Sequence, residues 1–368
     1  MNVQDLVDAM QSIAPAELAE GWDNVGLLVG DPAAKLERLL LCIDLTPAVL
    51  AEARAAGAQA VIAYHPPIFK GIRNVRSNDP ASGVIFDAVR HGIAVYTPHT
   101  ALDVVAGGTN DVLADALYLT QRRPLSPATP APSRDLKLVT FVPTGVVDSV
   151  AQAVFAAGAG HIGDYDGVSF RSPGTGTFRG GEGTNPAIGE AGKRESVEEI
   201  RLEVVVPQRS IGDVVTALRE AHPYEEVAFD LVPRVEPALA AGMGRIAEFE
   251  DPQPREVLFS RIRRELGVDH LLVAGPTDGD VRRAAVCAGS CGDLLDAAAA
   301  QGAELYLTGE LKHHDALRAA RLGMTAVCVL HSNSERATLS VLRRRLVELL
   351  PGLTAEPAES DRDPFRVL

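Results

Sequence analysis

Three short apolar runs in this chain end in side chains that can hold a metal ion. Ala60–Ala63 leads into Tyr64-His65-Pro66-Pro67, and 93–96 leads into Thr97-Pro98-His99-Thr100-Ala101-Leu102-Asp103. A third run, 326–330, leads into His331-Ser332-Asn333-Ser334-Glu335. Imidazole and carboxylate together suit zinc, iron or manganese. No thiolate lies in the three motifs, which weighs against a structural Cys-type zinc site. His331 and Glu335 are four residues apart, as are His99 and Asp103, so each pair can share one side of a helical turn. The prolines after His65 end its strand and can fix its imidazole. Taken singly, each histidine reads as a strand cap or a backbone hydrogen-bonding group. Taken together, several liganding groups that end strands in the same way read as one site. The expected ligands are His65, Asp103, His331 and Glu335, holding one or two divalent ions per chain. The two carboxylates either complete a mononuclear site or bridge two ions. An open coordination position would make the site hydrolytic in character.

Convergence needs neighbouring strands, because sites in α/β sheets form beyond the carboxyl ends of strands. The first 120 residues supply such strands at 26–29, 39–43, Ala60–Ala63 and 93–96, with helical stretches at 1–20 and 47–56. The proline-rich segment 121–134 reads as a linker. Beyond it a β-α-β…β-α-β order, with helices at 146–157 and 211–221, points to a ferredoxin-like α+β domain. After residue 240 the first texture returns, with apolar strands at 284–288, 304–307 and 326–330. The expected architecture is a layered α/β core built from both chain ends, 1–128 and 240–368, with a ferredoxin-like domain inserted at 135–236. Three consecutive domains are the alternative. The last dozen residues are expected to be loose or to pair at a sheet edge.

Other candidates carry less. Glu310, with His313 and His314, follows a further strand; it could move a proton at the site or simply open a helix. His222-Pro223-Tyr224-Glu225-Glu226 reads as a turn with a satisfied histidine. Asp23, Asn24 and Asp44 are minor candidates whose commonest use is in turns. Cys287 to Gly292 is not a CxxC motif, and its cysteines read as packing thiols. The run 174–192 is rich in glycine but lacks the GK[ST] ending of a P-loop, so it reads as a hairpin. No serine sits in a nucleophile elbow.

A formal net charge of -14 over 368 residues argues against binding nucleic acid through a general basic face. A local lining by Arg261, Arg263 and Arg264 is the residual route. Four cysteines in so long a chain do not make a disulfide framework. The amino terminus has no basic start or long apolar run, and no segment approaches a membrane span. A cytoplasmic protein is expected.

The motifs in order are Gly21-Trp22-Asp23-Asn24-Val25-Gly26-Leu27, Tyr64 to Phe69, His99 to Asp103, His222 to Glu226, Thr308-Gly309-Glu310 with His313-His314-Asp315, and His331 to Glu335. Across nearly the whole chain they resemble the Nif-three-like dinuclear-metal proteins, also called GTP cyclohydrolase I type 2 homologues. The middle of the chain resembles the CutA/PII-like insertion of the family's longer subgroup. The resemblance implies the same four ligands and a homohexameric, toroid-like assembly. Many family members carry a second histidine where this chain has Tyr64, a poorer ligand at neutral pH. One metal position is therefore expected to be weaker, empty, or completed by water or another residue; His99 is the nearest candidate, and a role supporting a ligand from behind is at least as good a reading of it. Two functions follow as expectations: a metal-dependent hydrolase acting on a small nucleotide-like substrate, or a metal-binding scaffold or regulatory protein without turnover.

Overall fold

In the computed structural model the alternating apolar runs form two separate sheets, apart from the sheet of the central segment. Residues 1–80, 82–128, 131–236 and 241–367 are described. The chain divides into two compact units, Met1–Thr129 with Ala238–Leu368, and Pro130–Pro237.

In the first unit a five-stranded sheet runs in the order Gly26–Val29, Ala94–Thr97, Ala60–Ala63, Arg38–Cys42, Thr354–Pro357. The last four are parallel and Gly26–Val29 is antiparallel. Ala60–Ala63 and Ala94–Thr97 are buried throughout, as continuous apolar runs in a parallel sheet covered on both faces must be. Helices Val3–Ile13 and Ala337–Leu349 cover one face through Leu6, Met10, Leu342 and Leu346. Helices Pro47–Ala55 and Gly83–Arg90 cover the other through Val49, Leu50 and Ile85. The first helix is shorter than its pattern over 1–20. Asn2 and Asp5 form a capping box at its start, and it stops at Ile13 ahead of Pro15.

A six-stranded sheet follows the order Leu272–Ala274, Thr325–Cys328, Leu305–Thr308, Asp280–Cys287, Gly242–Pro254, Arg123–Pro127. Thr325–Cys328, Leu305–Thr308 and Asp280–Cys287 are parallel. This corrects one reading and part of another. The strand before His331 is not a neighbour of those before His65 and Asp103; it lies in the second sheet. Apolar runs show that a strand is buried but not which sheet it joins. The segment 121–134 holds the division between the two units, as the linker reading has it, but much of it is strand. Arg123–Pro127 is an edge strand, with Pro124 opposite Arg245 and Pro127 opposite Gly242, and Ala131–Pro143 begins the next strand. Proline is tolerated there because an edge strand pairs on one side only.

The second unit runs Ala131–Pro143, helix Val147–Ala156, Ser169–Arg179, Arg194–Pro207, helix Ile211–Ala221, Phe229–Glu236. Its antiparallel sheet has the order Ser169–Arg179, Arg194–Pro207, Ala131–Pro143, Phe229–Glu236, a ferredoxin-like connectivity. Val150, Val154, Val214 and Leu218 pack its helices onto Leu138, Leu202 and Val204. The glycine-rich run 174–192 contributes to Ser169–Arg179 and the hairpin after it.

One further expectation changes. Cys287 and Cys291 are joined as a disulfide rather than packed as thiols, while Cys42 and Cys328 are free. The turn through Gly289 brings their Cα atoms to 6.1 Å, within disulfide reach. Of the two readings of the carboxyl-terminal segment, pairing at a sheet edge is the one the structure shows. Thr354–Pro357 pairs along Arg38–Cys42, and the buried Asp361 carboxylate accepts from Ile43 N (2.8 Å) and Arg336 Nη1 (2.6 Å). Among the described residues no helix is long and apolar enough to cross a membrane.

Candidate metal centre

The carboxyl ends of parallel strands from both sheets meet. His65 follows Ala60–Ala63, and the short helix His331–Glu335 follows Thr325–Cys328. The Glu335 carboxylate, only 3% exposed, sits between two imidazoles. Its Oε2 lies 3.2 Å from His65 Nε2 and its Oε1 3.3 Å from His331 Nε2. The three residues offer donor atoms all within 4.8 Å of one another. His65 Nε2 and Glu335 Oε2 are buried, and neither makes a geometrically sound hydrogen bond. Buried polar atoms without partners need an explanation. A cation held between them supplies one, and the donor set suits it.

Each ring is held from behind by a carboxylate. Asp44 Oδ1 is 2.9 Å from His65 Nδ1, and Glu310 Oε1 is 3.0 Å from His331 Nδ1. Asp23 Oδ1 is 2.8 Å from His99 Nδ1. This arrangement leaves Nε2 of each ring facing forward and is the usual support of a metal-binding histidine. Asp23 also accepts from the Thr100 amide (3.2 Å) and hydroxyl (2.6 Å). Burial alone would raise its pKa, but these bonds and His99 hold it down at about 2. Burial likewise opposes charge on His65, yet Asp44 and Glu335 outweigh it and raise its pKa to about 10. The bond to Glu335 raises His331 to about 9, against burial. Glu335 stays below the usual carboxylate range because both histidines outweigh its burial.

Asp103 lies beside this cluster, on the helix His99–Val104, but outside the group of three. Its Oδ1 accepts from the Tyr64 hydroxyl, which is also 3.1 Å from Thr109 Oγ1. Burial raises Asp103 to about 6, helped by Glu335 and opposed by the bond from Tyr64. Burial and Asp103 push the Tyr64 phenol well above its ordinary value, so Tyr64 stays neutral.

Of the weaker candidates, Asp23, Asp44 and Glu310 orient the three rings, while Asn24 Nδ2 donates to Ile68 O (2.5 Å). His313 and His314 open the helix His313–Arg321. His222 is satisfied in the second unit, with Nε2 3.0 Å from Phe141 O and Nδ1 accepting from the Tyr224 amide.

Several supporting residues carry no signal in the sequence. Asn110 donates to Asp103 O (3.0 Å) and accepts from Ala288 N (2.9 Å), tying the helix that bears Asp103 to the second sheet. A Cβ on Gly309 would fall 2.6 Å from Gly289 O and 2.9 Å from His331 Cα, so only glycine lets the short helix sit this close. Leu330, just before His331, holds φ at +72°, and His99 holds +30°. Such strain in residues other than glycine gathers at functional sites.

A family model described as Duf34/NIF3 (NGG1p interacting factor 3) matches residues 1–364. A Mycobacterium tuberculosis protein named GTP cyclohydrolase 1 type 2 homolog is 38% identical over 338 residues, covering 91% of this chain and 88% of that one. A Bacillus subtilis protein of the same name is 33% identical over 372 residues, with coverage of 100% and 99%. The crystal structure of a Bacillus cereus protein related to NIF3 aligns with a TM-score of 0.77 at 31% identity, covering 100% of this chain and 99% of that one.

Proposed function

The chain belongs to the Duf34/NIF3 family, and from that premise we propose that it binds a divalent metal and hydrolyses a small nucleotide-like molecule. The observation that carries the reading is the buried pair His65 Nε2 and Glu335 Oε2, 3.2 Å apart and without hydrogen bonds. His65, His331 and Glu335 would hold the ion, with Asp103 as a further carboxylate. Zinc, iron or manganese suits these donors, at one or two ions per chain. A bound divalent ion supplies Lewis acidity and makes water ionise near neutral pH. The protein's own groups do the rest. Asp44 and Glu310 keep both Nε2 atoms forward, and neutral Tyr64 holds Asp103 in place. Glu310 is half-exposed and touches both His331 and solvent, so it is placed to carry a proton away.

The same proposal includes a cytoplasmic homohexamer and a CutA/PII-like inserted unit; the ferredoxin-like connectivity of the second unit supports the latter. Elemental analysis of the purified protein beside His65→Ala and the double variant His331→Ala, Glu335→Ala tests the metal site. Metal should be present in the parent and lost in both variants. Unchanged stoichiometry in the double variant would overturn the assignment. Nucleotides are then screened for turnover; retained metal without turnover on any of them favours the scaffold reading.

A further inference from the structure

The chain's one tryptophan, Trp22, is 60% exposed, and Phe69 beside it is 47% exposed. Their ring centroids are 5.9 Å apart at a tilt of 56°. Trp22 also meets His99 edge-on at 6.1 Å, and His99 meets His65 at 5.4 Å. Neither neighbouring ring lies parallel to the indole, and 60% of Trp22 stays exposed next to the metal centre. The two aromatics are not loosely placed. The Asn24 side chain bonds the carbonyl of Ile68, fastening the Trp22 turn to the Phe69 loop. Asp23, one residue from Trp22, bonds His99 and Thr100. Exposing a fixed pair of large aromatics costs stability unless something covers them. Charge points to what does. In a chain of net charge -14, the segment after Phe69 carries Lys70, Arg73 and Arg76 before its first acid, Asp79.

We propose that Trp22 and Phe69 form a wall on which a planar heteroaromatic ring stacks beside the metal centre, while Lys70 and Arg73 receive an anionic group on the same molecule. The ligand class is a nucleotide. This rests on the metal-centre reading and adds the part of the site that recognises substrate. A ring on the wall would reach the histidine cluster through His99. The Gly21-Trp22-Asp23-Asn24 motif thereby gains a role for each side chain: Trp22 presents a face, Asp23 sets His99, and Asn24 joins the two loops.

Because Trp22 is the only tryptophan, its emission reports the wall directly. Zinc-reconstituted protein is titrated with GTP, with ATP and with inorganic triphosphate. The purine nucleotides should quench the emission saturably and protect it from acrylamide, and triphosphate alone should do neither. Phe69→Ala should weaken nucleotide binding by roughly five- to a hundredfold, the usual worth of one base-stacking aromatic, with metal content unchanged. Lys70→Glu with Arg73→Glu should weaken GTP binding but leave guanosine binding unaltered. Protein that keeps its metal but whose emission ignores both nucleotides up to millimolar concentration overturns this proposal alone. Protein that takes up no metal overturns the reading beneath it. If acrylamide protection follows protein concentration and oligomer size instead of nucleotide, the wall is a contact with a second copy and the proposal fails.

Discussion

Arg245→Met tests how firmly Arg245 bolts the two sheets of the first unit together. The Arg245 side chain is 2% exposed. It lies on Gly242–Pro254 of the six-stranded sheet and donates to Gly242 O and Gly244 O (both 2.7 Å) on its own strand. It also reaches Val104 O (3.4 Å) at the end of the His99–Val104 helix, and Val105 O (2.8 Å) and Asp111 Oδ2 (2.9 Å) in the segment after it. Methionine nearly fills the volume but donates nothing. Breaking a buried pair from one side costs about 3–5 kcal/mol. Arg122 still bonds Asp111 Oδ1 (2.5 Å), so the lower end, about 3 kcal/mol, is expected. For a body of this size that is a fall in Tm of about 6–12 °C. The pH dependence carries a second signature. Burial would raise the Asp111 pKa, but Arg245 outweighs it and the folded value is depressed. A depressed carboxylate stabilises the fold above its unfolded pKa, near ~4, and that stabilisation is lost as pH falls through the folded value. The gap between parent and variant should therefore narrow on acidification. Urea unfolding at neutral and acid pH measures both. A gap under about 1 kcal/mol at neutral pH, or one unchanged by acid, would refute the reasoning.

Three further outcomes follow from the same geometry. Gly309→Ala should displace His331 and weaken metal binding while circular dichroism stays like the parent; unimpaired affinity would show that the short helix has room to spare. Asp361→Ala removes the acceptor of the buried Ile43 amide and one partner of Arg336, and should cost about 1–3 kcal/mol in denaturant unfolding; no loss would mean the terminal segment is not a clamp. Chelation should lower the melting temperature reversibly. Metal at a hundred times its Kd adds about 2.7 kcal/mol, and an unchanged melt would mean the ion is not bound to the native state.

How much of this could be read beforehand depended on how local each signal was. The strand endings at His65, His99 and His331 were legible because a buried parallel strand is a continuous apolar run and its site residues come straight after it. Which sheet each run joins was not, since Leu305–Thr308 and Ala60–Ala63 have the same texture and pairing is decided by distant partners. The edge strand Arg123–Pro127 was hidden by its prolines, which exclude a central strand but not an edge. Arg245 and Asn110 were invisible for a related reason. A buried arginine and a bridging asparagine look like surface residues in the sequence, and their value lies in carbonyls and amides far along the chain.

The site shows why the motifs recur as separated pieces. His65, His99 and His331 each need a carboxylate behind the ring, and none takes it from its own strand. Asp44 ends the strand beside that of His65, Glu310 ends the strand beside that of His331, and Asp23 precedes the strand paired with that of His99. A ligand and its support thus sit on adjacent strands, fixed relative to each other by the strand pairing. Two such assemblies, one per sheet, must then meet across Glu335. A small shift between the sheets would leave every histidine–carboxylate pair intact and still open the site. Removing Asn110 or Arg245 should therefore reduce metal affinity without disturbing the histidine–carboxylate pairs. Imidazole NMR would separate this from direct loss of a ligand: Asn110→Ala should keep the Nδ1 hydrogen-bond signatures of all three rings while metal affinity falls. If both are lost together, the sheets do not act as separate rigid halves.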